Sequence, residues 1–255
     1  SAFGAVATAP VAAARSRHEI RALGRRRCSA SLLAGVLLAA HFGLWIPSLR
    51  LTSVTASIAL VTSAPLWTVL IERARGVRVR PGVLVGVGLA LAGVVAVTGA
   101  DAGRSPSALL GDLLALGGGV AGAGYVLVGE HARRSTSTTV YTLVAYSGCA
   151  VVLVGICLLT RTPLAGWSVR TWSELLLLTL VAQLLGHTAF NAAVPVVGAT
   201  PLSLAILLEV PGAAVVAWLW LRQTPPVGVI PGALLVLAGL ALVLRARSSS
   251  RTDQA

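Results

Sequence analysis

The segment PLSLAILLEVPGAAVVAWLWL, residues 201–221, is the most informative part of this chain for its fold class. It is 21 residues long, and its only charged side chain, Glu209, lies close to the middle. At a rise of about 1.5 Å per residue, a helix of this length reaches about 30 Å, the thickness of the hydrocarbon core of a bilayer. The stretch therefore predicts a membrane-spanning helix that carries a carboxyl group near the membrane midplane.

The composition of the whole chain also favours a membrane protein. Of its 255 residues, 56% are hydrophobic and 11% are charged, whereas soluble domains carry about 25% charged residues. The arginines lie in short clusters between apolar segments and not along one polar face, so we exclude nucleic acid as a partner. Three cysteines, Cys28, Cys149 and Cys157, lack metal-ligand or disulfide spacing. We expect neither a cofactor nor a metal.

Eight apolar segments are long enough to cross a bilayer. They are residues 29–49, 53–72, 81–99, 108–129, 138–160, 174–194, 201–221 and 227–244. Their length and their interior glycines and prolines are typical of helices, because the strands of a membrane barrel are about ten residues long and alternate in polarity. The sequence therefore predicts an all-α polytopic membrane protein with about eight complete transmembrane helices and a partial one at residues 1–14.

The arginines predict how these helices are oriented. Fifteen of the 20 lie in alternate connecting segments, and short cytoplasmic segments accumulate such residues. We therefore expect a multi-pass protein of a cell membrane of the bacterial inner-membrane type, with its C-terminus in the cytoplasm. The segments expected inside are 15–27, 73–80, 130–137 and the tail from Arg245.

An internal repeat emerges when the chain is aligned with itself at an offset of 146 residues. Without a gap, this offset superposes His41 on His187, Ser63 on Glu209, Pro65 on Pro211, and glycines 82, 86 and 93 on glycines 228, 232 and 239. The two copies begin five helices apart, an odd number, so they have opposite orientations in the membrane. The sequence predicts a first repeat over 1–106, incomplete at its N-terminus, and a second over 107–255 that ends in the Arg-rich tail.

Three stretches resemble a known family. They are SVTASIALVTSAPLWTVL (53–70), GDLLALGGGVAGAGYVLVGE (111–130), and LLEVPGAAVVAWLWLRQTPP with PGALLVLAGLALVL (207–226 and 231–244). They resemble the EamA-type permeases of the drug/metabolite transporter (DMT) superfamily. The resemblance implies ten helices in inverted five-helix repeats, of which this chain would lack the first and part of the second. It also implies transport of small metabolites such as amino acids.

One feature of that family is missing here. The family often has Gly-Glu after its ninth helix, whereas this chain has Arg222 and Gln223. No role of that glutamate is carried over to this chain.

Polar residues recur on one face of the helix predicted at 174–194. Gln183, His187 and Asn191 are four residues apart, which aligns them along the helix. They are interpreted either as the lining of a substrate cavity or as a hydrogen-bonded seam between helices. Glu209 lies at a similar membrane depth to His187, so we expect these two side chains to be close enough to meet.

The opposing half offers a second set of candidates. His41 is the repeat mate of His187, Trp45 follows it one turn later, and Ser63 is the mate of Glu209. Tyr125, which follows two glycines, either lines the cavity or fills space. Gly117, Gly119 and Gly122 match a dinucleotide-binding pattern, but they lie inside an apolar helix with no strand before it, so we reject that interpretation.

A secondary transporter, exporting small molecules by alternating access, explains these features together. Its expected partners are a small-molecule substrate and the lipid bilayer, while protons as the coupling ion and assembly into a homodimer are left open. The alternatives are an intramembrane enzyme and a non-transporting scaffold subunit. We do not expect an enzyme, because the sequence contains no metal motif of the H-E-x-x-H type and its polar residues are spread over several helices.

The predicted orientation is testable with single cysteines at Ser135 and Ser168 in a chain without its own cysteines. Because the arginine distribution places residue 135 inside and residue 168 outside, an impermeant thiol reagent added to intact cells should label only position 168. Labelling of position 135 alone would show that the topology is the reverse of the predicted one.

Overall fold

The computed structural model describes residues 16, 18–19, 24–102, 105–133, 136–178, 180–181 and 208–252. Within these ranges the regular structure is helical and no strand occurs, which confirms the predicted all-helical class. The α-helices of the described residues are, in chain order, α1 Arg25–Ser48, α2 Val54–Val61, α3 Ala64–Ala74, α4 Pro81–Ala102, α5 Pro106–Arg133, α6 Thr138–Leu159, α7 Val169–Leu178, α8 Glu209–Leu221 and α9 Val229–Thr252.

Six helical segments of the described residues are long and apolar enough to cross a membrane. They are Arg27–Ser48, Val54–Ala74, Pro81–Ala100, Pro106–Arg133, Thr138–Leu159 and Val229–Ala246. Each corresponds to one predicted span. The other two predicted spans, 174–194 and 201–221, lie partly outside the described residues, and α7 and α8 are their described parts. The chain is a multi-pass membrane protein.

The second of these segments is interrupted between α2 and α3. Pro65 has no amide proton and cannot donate to the carbonyl of Val61, so α2 stops at Val61 and α3 starts at Ala64. Thr62 and Ser63 form a turn between the two helices. Pro65 therefore interrupts the helix for one turn within a single apolar segment.

The chain divides into two compact units. Unit one contains the described residues up to 40 and those from 124 to 181, and unit two contains residues 41–123 and 208–252. The boundary between the units crosses α1 and α5. This division reflects contacts and does not test the predicted repeat boundary at 106/107, which stays a prediction.

Unit one is held together by close packing of α1 on α6. A Cβ atom at Gly35 would lie 2.5 Å from the carbonyl oxygen of Ala145 and 3.1 Å from the amide nitrogen of Cys149. Only a glycine allows the two backbones to approach this closely. Small side chains extend the contact, because the buried cluster of this unit is formed by Ala34, Ala132, Tyr141 and Ala145.

The N-terminus of α6 is capped from outside the helix. The carboxylate of Glu19 accepts a hydrogen bond of 2.7 Å from the amide of Ser137, the N-cap residue of α6. Hydrogen bonds from the hydroxyl and the amide of Ser137 lower the pKa of Glu19. The contact therefore stabilises the folded chain above the unfolded-state pKa and is lost as the pH falls through the folded-state pKa. It also places Glu19 and Ser137 on one side of unit one.

Unit two is built on the antiparallel pair α4 and α9. A Cβ atom at Gly86 would lie 2.7 Å from the carbonyl oxygen of Gly239, and one at Gly93 would lie 2.7 Å from that of Gly232. These glycines let the two backbones touch. The apolar side chains around them, among them Val97 and Val236, form the largest buried cluster of this unit.

The contacts between α4 and α9 follow the predicted offset of 146 residues: where one residue packs on a second, the repeat mates of both residues also pack on each other. Gly86 and Gly232 are 146 residues apart, as are Gly93 and Gly239, and each member of one pair packs on a member of the other. The ends of the two helices follow the same rule: Gly82 faces Ala246, and Gly228 faces Ala100.

The close approach of α4 and α9 can be tested with two alanine substitutions on α4. In Gly93→Ala, the new Cβ would lie 2.5 Å from the amide nitrogen of Val236. The helices must then separate, and we expect a loss of about 1–3 kcal/mol in the free energy of unfolding in detergent. Gly88→Ala is the matched control, because an added Cβ there meets nothing within 4 Å. Equal stability of the two variants would contradict the packing.

Candidate functional site

The glycine run of α5, residues 117–119, lies between α1 and the turn that joins α2 to α3. A Cβ atom at Gly118 would lie 3.2 Å from both the carbonyl oxygen of His41 and the Cβ of Trp45 in α1. One at Gly119 would lie 3.2 Å from the carbonyl oxygens of Leu60 and Val61, at the break between α2 and α3. Consecutive glycines of α5 therefore bring His41 and Trp45 to the same level as the broken helix.

His41 is anchored to this glycine run by a hydrogen bond. Its Nδ1 atom lies 2.8 Å from the carbonyl oxygen of Gly118. Gly122, one turn further along α5, leaves room for the ring, because a Cβ there would lie 2.9 Å from the same nitrogen. The imidazole is half-buried, and its packing depends on both glycines.

Trp45 lies next to His41 on the same face of α1, as the sequence predicts. The two ring centroids are 5.7 Å apart. The indole Nε1 of Trp45 is buried, and it has no hydrogen-bond partner within the described part of the chain. A buried N–H group without a partner costs about 1–3 kcal/mol. This donor is therefore available to a ligand or to a residue outside the described ranges.

Ser63 lies in the break between α2 and α3 and is fully buried. Its hydroxyl donates a hydrogen bond of 2.5 Å to the carbonyl oxygen of Leu60 and accepts one of 3.0 Å from the indole N–H of Trp67. The hydroxyl of Ser63 is thus fully engaged within unit two.

Glu209 is the first residue of α8 and is exposed. The described helix begins at this residue, and residues 201–207, the first part of the predicted span, lie outside the described ranges. A carboxylate in the first turn is favourable, because the N-terminus of a helix carries a partial positive charge. The next residue, Val210, packs in a buried cluster with Ile58 and Ala59, against which Trp45 also packs.

The other predicted site residues lie either outside the described residues or in unit one. Gln183, His187 and Asn191 lie outside the described residues. Tyr125 belongs to unit one, where it packs against the buried cluster that contains Tyr141. Their membership of a cavity stays a prediction.

One feature of unit two was missed in the sequence. Asp112 is fully buried in α5, and the signal was present, because it is a lone carboxylate inside the apolar span predicted at 108–129.

Gln223 joins the end of α8 to the start of α2. Its side-chain oxygen accepts a hydrogen bond of 3.1 Å from the amide of Val54, the first residue of α2. The first amides of a helix have no partner within the helix, so this contact satisfies one of them. Gln223 occupies the place where the resembling family often has glutamate, and here an uncharged amide caps the helix.

These contacts define the protein as a multi-pass helical membrane protein whose polar groups are held between closely packed helices. A family model described as "EamA-like transporter family" matches residues 109–245, more than half of the chain. The protein belongs to this family and is a membrane transporter of the DMT type. Members of the family are transporters and not enzymes.

Comparison with solved structures supports the fold. A structure described only as "Crystal structure of protein" aligns with a TM-score of 0.52 and 18% sequence identity, covering 96% of this chain and 85% of the other. At this identity the likeness concerns the fold alone. A search of curated proteins returned no match.

The cap formed by Gln223 can be tested by two substitutions. Gln223→Leu leaves the Val54 amide without its acceptor, and we expect a loss of about 1 kcal/mol in the free energy of unfolding in detergent. Gln223→Glu keeps an acceptor and adds a negative charge at the N-terminus of α2. That variant should match or exceed the wild type at neutral pH and lose the advantage as the pH falls below about 4. Wild-type stability of the leucine variant would contradict the cap.

Proposed function

We propose that this transporter is a secondary exporter of small metabolites, such as amino acids or amines, and that it works by alternating access between two inverted repeats. Membership of the family shows that the chain is a membrane transporter. We add to this the class of solute, the direction of transport and the mechanism of transport.

The reciprocal packing of α4 on α9 is the observation that supports it best. Gly86 packs on Gly239 while their repeat mates, Gly232 and Gly93, pack on each other. Two copies related by a two-fold axis produce this pattern, since position i then meets position j of the other copy and j meets i. Inverted repeats of this kind place the substrate near the midplane and alternate access by moving one half against the other.

The backbone after α3 and α8 adds support to the repeat. Gly76 follows α3 with a φ angle of 84°, and Arg222 follows α8 with a φ angle of 55°. The two residues are 146 positions apart, and both lie in the left-handed region, which L-residues other than glycine seldom adopt. A left-handed residue therefore lies at the same repeat position in both copies, directly after α8 and two residues after the end of α3.

We assign the central role to Glu209, with Gln183, His187 and Asn191 as co-lining groups and His41 and Trp45 as further contacts of the solute. Support comes from the buried cluster that joins the start of α8 to α1, because Val210 belongs to this cluster with Ile58 and Ala59, and Trp45 packs against the cluster. A carboxyl group at this place suits either of two tasks. It would receive the ammonium group of the solute or carry the proton that is exchanged for it.

Replacement of Glu209 by glutamine tests this role. The amide keeps the shape of the side chain but removes its charge, so we expect normal membrane insertion with transport in liposomes reduced by at least about tenfold, the loss expected for a charged hydrogen-bond partner. Purified protein is reconstituted with a panel of labelled amino acids and amines. Loss of pH dependence in exchange indicates a proton carrier, and weaker solute binding at every pH indicates ammonium recognition.

Glu174→Gln is the matched control, because Glu174 is exposed in α7 and pairs with Arg170. Its transport should equal that of the wild type. If Glu209→Gln transports at the wild-type rate across the pH range while Glu209→Leu only lowers thermal stability, Glu209 is a structural residue. Absence of saturable flux through the wild type would contradict the proposed function itself.

A further inference from the structure

The hydrogen bond between His41 and Gly118 determines which ring nitrogen carries the proton. A carbonyl oxygen only accepts hydrogen bonds, and Nδ1 of His41 lies 2.8 Å from the one of Gly118. Nδ1 must therefore be the donor. In the neutral imidazole the other nitrogen, Nε2, then carries the lone pair and acts as an acceptor.

The two glycines of α5 hold the ring in this arrangement. Gly118 supplies the acceptor, and its lack of a side chain lets α5 pack closely on α1, since an added Cβ would lie 3.2 Å from the carbonyl oxygen of His41. Gly122 leaves the space that Nδ1 occupies, since a Cβ there would lie 2.9 Å from it. The tautomer is thus fixed by the packing of α1 on α5.

Nε2 itself forms no hydrogen bond with any residue that the structure describes. The indole of Trp45, next to it on α1, likewise presents a buried N–H without a partner in the described ranges. The adjacent rings therefore offer one acceptor and one donor, with aromatic faces beside them. Such a pair suits a solute that itself carries both kinds of group.

Resting on the transport function proposed above, we propose that the Gly118 carbonyl is a positioning group that presents Nε2 of His41 to the solute as a hydrogen-bond acceptor. The solute must then carry an N–H or O–H donor, such as an ammonium, amide or hydroxyl group. Solutes whose nitrogen is fully methylated lack this donor and are discriminated against at His41.

Two substitutions separate the contact with Gly118 from the contact with the solute. In His41→Asn, the amide nitrogen is attached at the position of Nδ1, so the bond to Gly118 is kept while the distal acceptor is lost. In His41→Gln, the amide extends one bond further, to the position of Nε2, so the acceptor is kept while the bond to Gly118 is lost.

Transport in liposomes and thermal unfolding in detergent are measured for both variants with the same labelled amino acids and amines. His41→Asn should unfold near the wild-type temperature but lose at least about tenfold in kcat/KM. His41→Gln should unfold at a lower temperature and keep more transport than the asparagine variant. The reverse pattern, with normal transport in His41→Asn, overturns the proposal and leaves His41 a structural contact between helices.

Nitrogen-15 NMR of labelled histidine provides a readout that does not depend on flux. At about pH 8, where imidazole is neutral, the wild type should show the Nδ1–H tautomer, and an amino acid should shift the Nε2 signal of His41 while its N-trimethyl betaine does not. Gly122→Ala should disturb the tautomer. Gly124→Ala is the control on the same helix, because its Cβ would lie 3.4 Å from Leu37, an ordinary contact.

The outcomes distinguish the two proposals. Flux through the wild type without any response of Nε2 overturns the inference and leaves transport standing. A response of Nε2 without flux supports the inference and contradicts transport, and absence of both contradicts both. An Nε2–H tautomer in the wild type overturns the inference directly.

Discussion

Close approach of helix backbones is the constraint on which this structure depends. Lipid chains are as apolar as leucine side chains, so helices in a bilayer gain little from burying apolar surface against each other and must gain from packing and polar contacts. Glycine permits such contacts because it removes the side chain between two backbones. Gly35 does so in unit one, and Gly86 and Gly93 do so in unit two, where a Cβ at each would overlap a neighbouring backbone.

The polar groups of unit two are placed by the same contacts. His41 reaches a backbone carbonyl because Gly118 brings α5 close to α1. Gly119, the next residue, lies against the break between α2 and α3, where the hydroxyl of Ser63 donates to the carbonyl of Leu60 and accepts from the indole N–H of Trp67. In a bilayer, a break of this kind requires neighbouring groups to satisfy the freed backbone. Close packing and polar satisfaction are therefore two parts of one arrangement, and the candidate site lies beside them.

The sequence predicts most reliably those features that depend on neighbouring residues along the chain. Six of the eight predicted spans are present among the described residues, and the break at Pro65 follows from the missing amide proton. Interpretation was weaker where a side chain had several partners to choose from. Ser63 was a cavity candidate because it is the mate of Glu209, yet its hydroxyl is engaged with Leu60 and Trp67. Asp112, buried in α5, was overlooked.

From the sequence alone follow the membrane class, the positions of six spans and the family, together with the prediction of a repeat at an offset of 146 residues. Hydropathy and repeat spacing are properties of the chain that do not depend on how helices are turned toward each other. The tertiary structure selects which face of each helix meets a neighbour. That choice makes Gly118 the partner of His41, places Gln223 on the first amide of α2, and leaves the indole N–H of Trp45 unpaired within the described residues. These contacts depend on the rotation of each helix about its axis, which an apolar sequence with little periodicity does not specify.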